Sequence, residues 1–217
     1  MKTIVPAVAL AFTLISASAS AAPIATVSVT ASDTFSFFGE YKPANLINGS
    51  GLTAGLHDNN YAAMWQTNLG VNQASLVFAF DGAYALDDVA IWNYNFGNPA
   101  EFQSTILRGV KDFRLSASLD GIDYTTVLEA RLAMGTGQPL AAQAFDAEGI
   151  TARFVKIDIL NNYGEGTYAE RDWNSGLSEV QFAGTAVPEP TTWAMMIAGF
   201  ALAGAGLRRR SDRIAFA

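Results

Sequence analysis

From about residue 26 to residue 183, short runs of alternating apolar and polar residues are broken repeatedly by Gly, Asn and Asp, and no stretch keeps helical spacing over a useful length. That punctuation confines the chain to an all-β architecture. Thr26–Ala31, Ala74–Phe80, Asp88–Tyr94, Phe113–Leu119, Tyr124–Ala130, Ala152–Leu160 and Leu177–Ala183 are the strand candidates. About seven or eight strands of this length predict a two-sheet sandwich. Asp120-Gly121 between two alternating runs predicts a hairpin.

Charge is unevenly placed along the 217 residues. Residues 22–187 carry eighteen acids against eight bases, while the remaining five bases are Lys2, Arg208, Arg209, Arg210 and Arg213. The middle of the chain is therefore strongly acidic. Nucleic acid and anionic membrane surfaces need clustered Lys and Arg, so they are excluded as partners of this region. Cysteine is absent, which removes disulfides, thiolate metal sites and cysteine nucleophiles together.

Both ends carry processing patterns. Met1 to Ala21 has one early base at Lys2, an apolar stretch from Ile4 to Ile15, and a run of small residues ending in Ala19-Ser20-Ala21. That order predicts a secretory signal peptide cut by signal peptidase after Ala21. At the other end, Val187-Pro188-Glu189-Pro190 precedes an uncharged run of fifteen residues, Trp193 to Leu207, and then the arginines. The run is short for a permanent span, which takes about 20 apolar residues. Its basic flank would hold the C-terminus on the cytoplasmic side.

This tail, over 186–213, resembles the PEP-CTERM sorting signal of Gram-negative bacteria, with Pro188, Glu189 and Pro190 as the motif. The resemblance implies a short hydrophobic sorting helix, transient residence in the inner membrane, and cleavage by an exosortase that delivers the protein to the cell surface or extracellular matrix. A simple C-terminal anchor is the alternative, although nothing in it requires Pro-Glu-Pro before the span.

The region between, residues 22–185, carries a second resemblance. Lys42-Pro43-Ala44-Asn45-Leu46-Ile47-Asn48-Gly49, Trp65, the Asp120-Gly121 hairpin, Ala152-Arg153-Phe154-Val155-Lys156-Ile157 and Leu177-Ser178-Glu179-Val180-Gln181-Phe182 follow in order. In that order they resemble the discoidin domain, or coagulation factor V/VIII type C domain, and the related family 32 carbohydrate-binding modules. The fold implied is a galactose-binding-like jelly roll.

The resemblance also implies one structural calcium, held between the early loop and a late glutamate. Here Asn48 stands in the loop where the family has Asp, Glu179 matches the glutamate, and Asp58 is an added candidate ligand. Calcium takes six to eight oxygens, many of them carbonyls. An Asn-Gly turn that caps its own backbone, with Glu179 facing water, is the bland alternative.

Sugar binding in such modules uses loops at one end of the sandwich, where an exposed ring lies beside hydrogen-bonding groups. The polar, aromatic segment from Asn161 to Asn174 supplies Tyr163, Tyr168, Arg171 and Trp173 as candidates, with Asn95 and His57 as additions. Packing over the sandwich end competes with that role for Tyr168 and Trp173. Trp65, at the family's core tryptophan position, reads as structural.

No enzyme can be assembled from these residues. His57 is the only histidine, there is no G-x-S-x-G elbow, and no carboxylate pair is singled out for glycoside hydrolysis. The expectation is a noncatalytic carbohydrate-binding or adhesive module acting on extracellular polysaccharide. The alternatives are a passive matrix protein or a glycan hydrolase.

Overall fold

The computed structural model of the protein describes residues 22–36, 39–101, 104–166, 174–188 and 194–204. Its strands in chain order are β1 (Ala22–Ile24), β2 (Thr26–Ala31), β3 (Leu52–Thr53), β4 (Leu56–His57), β5 (Trp65–Gln66), β6 (Ala74–Asn93), β7 (Asp112–Ser118), β8 (Thr125–Arg131), β9 (Leu140–Ala141), β10 (Gln143–Asp146), β11 (Thr151–Ile159) and β12 (Gly176–Ala186). A short helix, α1, spans 194–204.

Alternation decides what faces inward. In β6, Leu76, Phe78 and Phe80 are buried, and in β11 Val155, Ile157 and Ile159 are buried. A bulge between Ala152 and Phe154 resets the phase of β11 so that Ala152 also points into the core. The path of pairing is β1-β12-β6-β11-β7-β8, with β2 and β10 also on β6 and β5 on β12.

The sequence predicts two separate strands here, Ala74–Phe80 and Asp88–Tyr94. The structure has one continuous strand instead. Its first half pairs with β2 and β11, and its second half pairs with β10 and β12. Tyr84 and Ala85, between the two expected strands, are paired on both sides, by Ala152 and Thr151 of β11 and by Ala186 and Thr185 of β12. Those bonds hold the corner extended while the chain passes from one layer to the other.

Phe182 of β12 meets Phe78 and Phe80 of the opposite layer with ring centroids 5.2 and 5.1 Å apart. Trp65, Phe113, Leu76, Ile91 and Leu115 fill the same core. Burial of each such side chain stabilises the fold by about 1.5–3 kcal/mol. The predicted hairpin is present as β7–β8, with Gly121 at φ +77° in the turn.

The sandwich has two distinct ends. At the corner end, Ala22 pairs with Gly184, and Val187 donates its N–H to Ala83 O at 2.8 Å. Both the leading strand and the exit toward the C-terminal tail are therefore at this end. At the other end, Asn93 closes β6 and bonds to Val110, which bridges Asn162 just beyond β11. The long loops gather there. All residues of α1 are exposed, and among the described residues no helix is long and apolar enough to cross a membrane.

Candidate functional site

Buried amides pin the loops at the end remote from the tail. Asn95 is fully buried; its Nδ2 donates to Gln138 O (2.7 Å), Asp58 O (3.1 Å) and His57 O (3.4 Å), and its Oδ1 accepts from Thr136 N and Gly137 N. Asn45 does the same for a second loop set, donating to Glu40 O, Ala62 O and Met64 O. A buried carbonyl left without a donor costs about 1–3 kcal/mol, so these brackets fix loop positions firmly.

Four rings from three separate loops meet on this frame. Phe35 and Tyr41 pack edge to face at 5.5 Å, Tyr41 and Tyr61 lie 5.8 Å apart, and Tyr61 and Phe96 lie 5.2 Å apart. Tyr61, Tyr41 and Phe96 line an open cleft of about 310 Å³ together with Glu40. Tyr61 is 38% exposed, whereas Tyr41 is 7% exposed and its hydroxyl pKa is raised, chiefly by burial. An exposed ring backed by the buried Tyr41 and the half-buried Phe35 and Phe96 is what stacking against a sugar face requires.

Beneath the rings runs a polar chain. Arg108 donates to Gln66 Oε1 at 3.2 Å, and Asn174 donates to the same oxygen at 3.0 Å. The Arg108 charge also acts on Tyr41. Asn174 is thus tied to Gln66 and, through it, to Arg108.

The sequence-derived candidates fall into three groups. Tyr168, Arg171 and Trp173 lie outside the described residues, as do Glu189, Pro190 and the proposed signal peptide. Tyr163 is half-buried, and its hydroxyl is donated to Leu132 O. Asn95 and His57 are buried and face the frame, in contrast to the expected ligand role. The bonds of Asn95 are all spent on backbone, and His57 lies against Gly51, with Nδ1 3.0 Å from Asp58 O. Pro188 is exposed. Sequence reasoning missed Tyr41, Tyr61 and Phe96, whose only sequence signal is an aromatic in a polar loop.

Glu179 occupies a separate place, on β12. It is 1% exposed, and both carboxylate oxygens accept from Gly49 N, at 3.2 and 3.3 Å. Burial pushes its pKa up to about 7, an effect only partly offset by bonds from Gln181 and Gly49. Asn48 turns its Oδ1 to Ser50 N, as the self-capping turn predicts. Asp58 accepts from Asn60 N and lies beside His57 and Gly51. A buried carboxylate is the donor type that a hard cation takes, although the loop group shown facing it is the Gly49 N–H. Among the described residues there is no group of three or more His, Asp or Glu side chains placed for a metal ion.

A β-sandwich with its loops gathered at one end defines the class. Residues 28–172 match the F5/8 type C domain, and the chain belongs to that family. Residues 186–210 match the PEP-CTERM protein-sorting motif, which indicates export and sorting to the cell surface. A search of curated proteins finds no match.

Among solved structures, the fold is similar to CpGH89CBM32-5 from Clostridium perfringens, seen in complex with GalNAc-β-1,3-galactose. That likeness has 14% identity and a TM-score of 0.53, over 74% of this chain and 99% of the other. It is also similar to the C-terminal domain of a Bacteroides fragilis chitobiase (16% identity, TM-score 0.54, 77% and 100% covered). A third is the family 32 module of C. perfringens NanJ in complex with galactose (15%, 0.53, 75% and 98%).

Proposed function

We propose that the protein is a noncatalytic carbohydrate-binding module, exported by way of an inner-membrane intermediate and processed by an exosortase in a Gram-negative bacterium. It acts on extracellular polysaccharide at the cell surface. The observation that carries this reading is the cleft formed by Tyr41, Tyr61, Phe96 and Glu40 at the loop end of the sandwich. The exit toward the sorting motif is at the opposite end, beside Ala83. A domain held by its tail therefore presents the cleft outward.

In this reading Tyr163, Tyr168, Arg171 and Trp173 join the site, and the described Asn174 that follows them in sequence bonds to Gln66. These four supply further rings and donors for sugar hydroxyls. One structural calcium at Glu179 and the Asn48 loop is part of the reading, and its role is to hold that loop on the sandwich.

A glycan array probed with the full chain in mild detergent tests the proposal. Saturable binding that is lost in Tyr61→Ala and weakened in Trp173→Ala supports it. A folded protein silent on every glycan overturns it and leaves the passive matrix reading. Release of reducing sugar from bound polysaccharide would make the protein a hydrolase.

A further inference from the structure

The cleft that stacks the sugar also carries a charge, and this inference rests on the carbohydrate-binding reading above. Glu40 lines it beside three rings. The backbone oxygen of Glu40 is used by Lys42 N and Asn45 Nδ2. Among the described residues, its carboxylate enters no ion pair within 4.0 Å. Lys42, two residues away, is exposed and forms no ion pair with it within 4.0 Å, while the Arg108 charge also acts on Tyr41 of the same cleft.

Ring geometry points the same way. Tyr41 and Tyr61 are inclined by 39°, and Tyr61 and Phe96 by 61°. The rings therefore form a curved wall and not one flat platform. A flat platform suits the apolar face of a neutral pyranose. The exposed Tyr61 ring with one carboxylate beside it suits a compact cation, which is attracted by the ring face and by the acid. The surrounding domain, with eighteen acids against eight bases over residues 22–187, adds an attractive field for a polycation.

We propose that the cleft of Glu40, Tyr41, Tyr61 and Phe96 selects a saccharide bearing a protonated primary amine, that is, a hexosamine unit without its N-acetyl group. The ammonium meets the Glu40 carboxylate and the ring faces, and the sugar body stacks on Tyr61. A partly exposed ion pair and a cation–π contact each contribute a few-fold in affinity, about ten-fold together.

The test is titration calorimetry of the full chain with a glucosamine pentamer and with its fully N-acetylated counterpart, at pH 6 and low salt. The glucosamine pentamer is expected to bind about ten-fold more tightly, and the preference to shrink as salt rises. Glu40→Gln is expected to bring the two affinities together, read as the ratio of the two dissociation constants. Among the described residues the Glu40 carboxylate makes no hydrogen bond or ion pair, so this variant should melt as the wild type does.

Equal affinity for the two pentamers overturns the inference but leaves the carbohydrate-binding reading standing. Absence of binding to any saccharide overturns both. A pentalysine peptide or choline binding as tightly as the glucosamine pentamer overturns the saccharide assignment, because the amine alone would then be what is read.

Discussion

Both carboxylate oxygens of Glu179 accept the backbone N–H of Gly49, at 3.2 and 3.3 Å, so the last strand and the early loop meet through a buried acid. No described cation partners it, and its pKa sits at about 7, above its ordinary 4.5. Below about pH 4.5 the group is protonated folded and unfolded alike, and stability is at its full value. Stability then falls as pH rises toward about 7 and is level beyond, a loss of at most about 3 kcal/mol. Chemical denaturation in chelator should show that decline in the wild type and a flat profile in Glu179→Gln. Added calcium should restore the wild type at pH 7.5 and leave Glu179→Gln unmoved; an unchanged wild-type midpoint dismisses the calcium site.

Asn95 is the bracket of the loop end. Asn95→Ala strips the partners from Thr136 N, Gly137 N and the carbonyl of Gln138 in a buried site. We expect a loss of about 2–4 kcal/mol in urea denaturation. A loss under about 0.5 kcal/mol contradicts the bracket.

Gly51 permits the seating of His57. It holds φ +78°, and a Cβ there would lie 2.6 Å from His57 Cε1. Gly51→Ala should therefore cost about 2–3 kcal/mol, from strain and clash together. Adding His57→Ala should recover the ring's part of the clash but neither the strain nor the contact with Asp58 Oδ1, giving a measurable coupling in a double-mutant cycle.

The strands were readable because period-two alternation is local. Thr26–Ala31 forms β2 as expected, and the Asp120-Gly121 hairpin lies between β7 and β8. The long β6 was not readable, because Asp81-Gly82 has turn chemistry and only pairing by β11 and β12 keeps the strand running. Strands of two residues, such as β3, β4 and β5, exist only through their partners.

The site was less legible for the same reason. Tyr41, Tyr61 and Phe96 stand 20 and 35 positions apart in sequence, and nothing local brings their rings together. Asn95 read as a sugar-binding candidate at a strand end, whereas its bonds go to the loop backbone.

The central claim is that this domain binds glycan at the loop end and not at the corner end. Affinity for the tightest array ligand, measured in the wild type, in Tyr61→Ala and in Leu119→Ser, tests it most directly. Leu119 is 58% exposed, just beyond β7 at the corner end, which makes it a matched control. The prediction is a loss of at least about ten-fold, about 1.4 kcal/mol, for Tyr61→Ala and no change for Leu119→Ser. Unaltered binding in Tyr61→Ala with a loss in Leu119→Ser would contradict it.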